Sequence, residues 1–273
     1  MKTKILLCLI ISLIIGSCAE KKPADTTLLG MWTDYTLIPA RLNGKVKEVT
    51  ELNYWAVEKD GKMTRGDLMT RKDLDSVGST KNLKAYFDMT GNLTKYEVLN
   101  KEDVFQTITP TMENRKWTRC DYKQGDSLIY YVITQCDDLG YIVTATRYRP
   151  LVDTIINKYV LTNDGKNYYT KFEYFNYKNQ RTGYQECTLD EKGNVLETKF
   201  YNKADSLALT MKNFYDEKYN IIRQETTAEN PKGFSTWVYK DLKTDDHGNW
   251  IESLADIDNG KYKIFAERIY VYY

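Results

Sequence analysis

Leu189-Asp190-Glu191-Lys192-Gly193-Asn194-Val195-Leu196 is the stretch on which the rest of the chain is numbered. In Asp190-x-x-Gly193 the aspartate side chain can accept a backbone N–H two residues on, and glycine can take the left-handed position that closes a type I turn with a bulge. Hydrophobic, β-prone residues on both sides make this a hairpin turn. Relatives of it follow at Asp88-Met89-Thr90-Gly91-Asn92, Asp137-Asp138-Leu139-Gly140-Tyr141, Asn163-Asp164-Gly165, Asp216-Glu217-Lys218-Tyr219-Asn220 and Asp245-Asp246-His247-Gly248-Asn249. The steps from 137 to 163, 163 to 190, 190 to 216 and 216 to 245 are 26, 27, 26 and 29 residues. From 88 to 137 is 49, close to two steps, and a degenerate turn near Thr111-Met112-Glu113-Asn114 falls between.

A second, looser series lies between these: Asp75-Ser76, Lys101-Glu102-Asp103, Gln124-Gly125-Asp126-Ser127, Asp153-Thr154, Asn179-Gln180-Arg181, Ala204-Asp205-Ser206, Asn230-Pro231-Lys232-Gly233 and Asp258-Asn259-Gly260. Two turns per unit give two strands per unit, and the intervening runs are rich in Tyr, Phe, Ile, Val, Leu and Thr, as strands are. The expectation is an all-β antiparallel meander of tandem hairpins, about 26 residues per repeat, in one curved or rolled sheet. Lys45 to Glu51 alternates as a half-buried strand does, with Leu52 to Val57 closed into a first hairpin at Lys59-Asp60-Gly61-Lys62. Met63 to Thr80 is the least regular stretch, where a short helix is compatible.

Residues 1–17 read as a secretory signal: Lys2 and Lys4 precede an apolar run from Ile5 to Ile15. As a helix that run rises only about 16 Å against a bilayer core of about 30 Å. Ile15-Gly16-Ser17-Cys18 resembles a bacterial lipobox, which implies that Cys18 becomes the acylated first residue. Residues 18–30 are then an acylated cysteine and a polar tether containing Pro23. Residues 31–273, about 240 in all, show no internal boundary and are taken as one domain.

Lys plus Arg is 39 and Asp plus Glu 38, net +1, with the signs interleaved along the strands. There is no basic stripe, so nucleic acid is not an expected partner, and the strand charges read as a solvated face. Cys120, Cys136 and Cys187 remain once Cys8 and Cys18 are set aside. With a turn at Gln124-Gly125, Cys120 faces about residue 129 and not Cys136, so no disulfide is expected and small buried apolar side chains are. The single histidine, His247, lies in a turn, and no ligand cluster supports a metal or cofactor. Tyrosine is abundant, 23 against 8 Phe and 5 Trp. Aromatic ladders on a thin sheet account for it, with sugar-stacking platforms as the sharper alternative.

No nucleophile elbow, phosphate loop, dinucleotide turn or paired-histidine zinc motif occurs. The recurrent aspartates already have a backbone role in their turns. No catalytic residue is expected, and the chain reads as a non-enzyme.

The unit from Asp190 to Tyr215 resembles the YD or RHS-type repeats of bacterial cell-surface proteins and is similar to repeat lipoproteins of Bacteroidetes. Tyr219 departs from it at the Gly position and Tyr141 at the Asn position. The resemblance implies a hairpin meander over residues 45–273 and does not imply catalysis. Asp-Ser/Thr-aliphatic runs resemble an O-glycosylation sequon of the same bacteria, which gives Thr26, Ser76, Ser127, Thr154 and Ser206 as acceptors; ordinary turn pairs explain the same residues. Together these features predict a lipid-anchored cell-envelope protein of a Gram-negative outer membrane, with a non-catalytic module that binds a glycan or protein partner. A carbohydrate-active enzyme, or an inhibitor or immunity partner of an RHS-type system, stays open beside it.

Overall fold

The computed structural model describes residues 42–78, 81–113, 116–138, 140–163, 169–217 and 220–273. Cys18, Thr26, the signal and tether, the turn at Asn114, Asp164-Gly165 and Tyr219 lie outside the described residues.

The strands are β1 (Val46–Lys59), β2 (Lys62–Leu68), β3 (Asn82–Phe87), β4 (Leu93–Asn100), β5 (Asp103–Glu113), β6 (Lys116–Gln124), β7 (Ser127–Cys136), β8 (Ile142–Arg149) and β9 (Thr154–Asn163). They continue with β10 (Tyr169–Asn176), β11 (Arg181–Leu189), β12 (Val195–Asn202), β13 (Leu207–Tyr215), β14 (Ile221–Glu229), β15 (Lys232–Thr244), β16 (Trp250–Ile257) and β17 (Tyr262–Tyr272). One helix, α1 (Arg71–Val77), separates β2 from β3. From β3 onward each strand pairs antiparallel with the next, as the repeat frame predicts.

The sheet is not open. β1 pairs with β17 along one edge, from Val46↔Tyr272 to Trp55↔Ile264. Its other edge pairs with β3 at residues 48–51 and with β2 at residues 54–59. β2 and β3 therefore lie end to end in one strand position, and the meander closes into a 16-strand barrel. Closure depends on strand number, tilt and register stagger, none of which a local pattern carries. It also removes the free edges that an open sheet must protect. The first strand is correspondingly longer than expected, since the stretches 45–51 and 52–57 form one continuous strand whose hairpin partner is β2.

The hairpins show why the turn motif recurs. At Asp190 the backbone N–H donates to Asn194 O at 2.9 Å, Gly193 N donates back to Asp190 O at 3.0 Å, and Gly193 has φ +82°. Asp190 Oδ1 accepts from the N–H groups of Lys192 and Asn194, both at 2.8 Å. The Asn194 side chain reaches Oδ2 at 2.6 Å. A register shift between Thr188 and Leu189 completes a bulge beside the turn. Asp88 and Asp245 repeat this geometry, and Asp216 with Asn220 closes its hairpin in the same way.

The opposite row shares the design but starts earlier than the sequence indicated. Asn202 Oδ1 accepts from Ala204 N and Ser206 N, and Asp205 takes the left-handed position, φ +58°. Asn176 and Asn179 do the same one hairpin before. Asp75-Ser76 is not a turn. It lies in α1, which is fixed by a Thr70–Asp73 capping box and ends at a left-handed Gly78.

Inward side chains form continuous rows around the barrel, for example Val49, Ala85, Tyr96, Ile108, Tyr122 and Tyr130 on successive strands. Over β3 to β10 these rows carry large residues, and Tyr96, Tyr122, Trp117, Phe172 and Leu161 fill the lumen. Tyrosine thus serves two places. Tyr131–Tyr148 and Tyr184–Tyr201 stack as outer ladders, with centroids 5.2 and 4.5 Å apart, while the inner tyrosines pack a barrel interior that a thin-sheet reading did not foresee.

Candidate functional site

Past β10 small and polar residues enter the inward rows. Thr198, Thr226, Ala228, Ser235, Ser253, Ala255 and Ala266 take positions that tyrosine and phenylalanine hold on the other side. The side chains no longer meet across the lumen, and a chamber of about 1390 Å³ opens beside β11 to β17.

One wall of the chamber is aromatic and aliphatic: Phe200, Leu209, Met211, Trp237, Tyr239 and Trp250. Trp237 and Tyr239 are successive inward residues of β15, with ring planes 26° apart and centroids 6.1 Å apart. A polar patch adjoins it on β17 and β1. Arg268 on β17 lies across from Glu51 on β1, and its Nε and Nη2 are each 2.8 Å from Glu51 Oε2. Both are buried, with side chains 9% and 3% exposed, and the guanidinium carbon stands 3.9 Å from the Trp250 ring centroid. A buried charge pair of this kind needs full hydrogen bonding to offset desolvation. The Tyr270 hydroxyl adds a contact to Arg268 at 3.5 Å.

Four carboxylates line the chamber: Glu51, Asp216, Glu217 and Asp241. Glu51 is committed to Arg268 and Asp216 to its turn. Asp241 is open to lumen water but walled by protein, and burial holds its carboxyl above the ordinary aspartate value against a bond from Ser253.

The two ends of the lumen differ. At one end the motif turns supply Asn194, Asn220, Gly248 and Asn249 as a rim, joined by Leu42 and Asn43 of the entering chain. Asn249 clamps that entry: its Oδ1 accepts from Asn43 N at 2.7 Å, and its Nδ2 donates to Asn43 O at 2.9 Å. At the other end α1 sits against the inward face. Leu74 and Met69 are fully buried on Ile257 and Ile264, and Val77 and Gly78 line the chamber. Asn82 fastens this excursion by donating to Met69 O and accepting from Asn53 N.

The outer wall is a lattice of charge. Lys95–Glu97, Arg119–Asp121, Lys171–Glu173, Lys199–Glu197 and Arg223–Glu225 are ion pairs along single strands. A wall facing lipid carries an apolar band instead, and each Lys or Arg at its midplane costs about 2–4 kcal/mol. The expected solvated face is therefore the outside of the barrel. Glu51, Arg268, Asp241 and Arg147 are exceptions, charged residues on strands that face inward.

The residues singled out in the sequence fall mostly outside the chamber. Asp88, Gly91, Asp137, Gly140, Asp190, Gly193, Asp216, Asp245 and Gly248 form the turns at the rim end. Ser127, Thr154 and Ser206 are exposed at the other end, and Ser76 is exposed on α1, where its hydroxyl donates to Asp73 O at 2.6 Å. His247 is exposed, its ring 4.1 Å from that of Tyr272. Cys120, Cys136 and Cys187 are free thiols, and burial pushes Cys120 up to about 12. Cys120 faces Val132 and not residue 129, because the turn is centred at 125–126 and a bulge follows Tyr122.

Trp237, Tyr239, Asp241 and Arg268 were not singled out by sequence reasoning. The alternation Ser235-Trp237-Tyr239 was visible, but which face points inward is fixed only by closure.

Fold and site together define a closed, half-hollow antiparallel barrel with a charged exterior. No family model matches the sequence, and no curated protein matches it at sequence level. Among solved structures, a porin-like protein from Bacteroides uniformis ATCC 8492 is similar in fold, with TM-score 0.51 at 10% identity over 84% of this chain and 98% of that one. A porin-like protein from Bacteroides vulgatus ATCC 8482 overlays with TM-score 0.45 at 11% identity over 84% and 98%. The TcdB2-TccC3-TEV structure overlays at 0.23 and 10% identity over 70% of this chain and 12% of that one. The first shows a shared barrel fold; the other two overlays are too loose to carry an argument. The hairpin meander that the YD or RHS resemblance implied is present, closed into a barrel, while no family match supports the resemblance itself.

Proposed function

We propose that this chain is a non-catalytic binding protein of the bacterial cell envelope, tethered through Cys18, with its barrel in water and its ligand held in the lumen. The half-empty lumen carries this reading. A fold that packs one side of its interior with aromatic residues and leaves about 1390 Å³ beside it has kept space where burial would stabilise it. Ligand sites are concave and mostly apolar, with a few placed polar groups, as this chamber is. The signal-like start and the lipobox-like cysteine support an envelope address, and the charged wall supports a barrel held beside a membrane. No helix among the described residues is long and apolar enough to cross one. A chamber of about 1390 Å³ suits a narrow chain, a glycan or an extended peptide, better than a folded partner. Catalysis is left out of the proposal because the sequence carries no catalytic motif and two of the four lining carboxylates, Glu51 and Asp216, already have bound partners.

Filling the chamber tests the role. Ala266 faces the cavity, and Ala266→Phe is expected to project a ring into it and obstruct a ligand. Native mass spectrometry of protein incubated with an envelope extract should show an added small-molecule mass on the wild type and none on the variant. Equal adducts on both, or none on either, contradict lumen binding. For the address, Cys18→Ser should move the protein from the membrane fraction to the soluble one; unchanged fractionation contradicts the anchor.

A further inference from the structure

Resting on the lumen reading, we infer that the chamber takes the end of an uncharged sugar chain, entering between the Asp-x-x-Gly-Asn turns and stopping against α1. Four observations lead there.

The first is the paired platform of Trp237 and Tyr239. Two nearly parallel rings, on alternate positions of one strand and 6.1 Å apart between centroids, both line the chamber. Such faces suit the C–H-rich sides of sugar rings, whose axial hydrogens meet the negative face of the π system. A fatty chain has no need of parallel rings.

The second is the polar complement. Asn53, Gln224, Thr226, Ser235, Asp241 and Ser253 line the same space. These are short amide, hydroxyl and carboxyl groups, able to donate and accept at fixed positions, which is what several hydroxyls on one ring require. An alkyl ligand could make no use of these groups.

Charge supplies the third. The lining holds two basic residues, Lys192 and Arg268, against four acids, Glu51, Asp216, Glu217 and Asp241, so it is acidic by two. Arg268 is bound to Glu51 and stacked on Trp250. Phosphorylated, carboxylated or sulfated ligands would meet an acidic field there. Neutral polyols meet no such penalty.

The fourth is the shape of the lumen. Val77 and Gly78 at the end of α1 line the chamber, with Leu74 sealed on Ile257 and Ile264. The rim at the opposite end is made of turn asparagines. A chain therefore enters from the rim and meets α1, which selects for a chain terminus over an internal stretch.

The test is titration calorimetry of the purified protein with neutral oligosaccharides of increasing length, drawn from gluco-, manno-, xylo- and N-acetylglucosamine series. Oligogalacturonates of matched length serve as the anionic control and palmitate as the apolar control. At least one neutral series should bind, with affinity rising with length and then levelling once the chamber is full. Trp237→Ala should weaken it by about tenfold or more, with Trp237→Phe recovering most of the loss. Oligogalacturonate should bind about tenfold more weakly, and Ala266→Phe should abolish binding with circular dichroism unchanged. Palmitate binding that Ala266→Phe abolishes, without any neutral sugar binding, overturns the sugar assignment and leaves lumen binding standing. No binding by any probe class overturns the sugar assignment, and the envelope-extract experiment then decides lumen binding separately. Affinity that never levels with chain length overturns end-on entry.

Discussion

Asp190 shows how much one carboxylate can organise. It accepts two backbone N–H groups and one side-chain amide, all within 2.8 Å. At a net worth of about 0.5–1.5 kcal/mol per hydrogen bond, loss of the three in Asp190→Ala should lower unfolding stability by about 1.5–4.5 kcal/mol in urea titration. Asp190→Asn should retain most of it, because Asn176 and Asn202 hold the same place in their own turns. The acid dependence follows. The side-chain bond from Asn194, more than any other influence, holds the Asp190 carboxyl below the ordinary aspartate value. A depressed folded-state value means stability that is present above the ordinary pKa and lost as pH falls through the folded one. The urea midpoint should therefore fall in that acid window, and less steeply in Asp190→Asn. Inside the barrel the balance differs. Arg268→Met leaves Glu51 buried without its cation and should cost about 3–5 kcal/mol, while adding Glu51→Gln should restore part of the loss. A double variant no more stable than the single one would contradict the pairing.

Among the elements, α1 is the least like its neighbours and the one most visibly attached for a purpose. Its capping box and left-handed Gly78 define a short helix whose buried face is essentially Leu74. Leu74→Ala should cost about 2–5 kcal/mol if the lumen end cannot collapse around the cavity. Hydrogen exchange should then rise across residues 69–78 while the β5 to β8 amides stay protected; uniform acceleration would mean that α1 does not unfold separately from the barrel. The hairpins were legible because a left-handed glycine and an aspartate at fixed spacing leave a local trace. Thr70-x-x-Asp73 left one too, inside the stretch where a helix was compatible, although Asp75-Ser76 was read there as a turn. What could not be read was register. The bulge beside Tyr122 shifts Cys120 onto Val132, and each such bulge moves the pairing by one residue without any mark in composition.

The whole molecule is a meander that found its own first strand. Nothing local in Val46–Lys59 says that one edge meets β17 and the other is shared by β2 and β3. With closure came an inside, and with the inside a division into a packed half and a hollow half. Trp237, Tyr239 and Arg268 became site residues only then, which is why the sequence pointed to turns and left the chamber unseen. The division is also the claim most open to direct trial, since inward-facing alanines occur in both halves. Ala85 is fully buried among Leu93, Tyr96 and Val98, whereas Ala266 lines the chamber. The thermal unfolding midpoints of Ala85→Phe and Ala266→Phe should part: the first overpacks a filled interior and loses about 1–3 kcal/mol or more, and the second enters free space and leaves the midpoint unchanged or higher. Equal destabilisation by both would mean that the lumen is filled throughout and that no chamber exists.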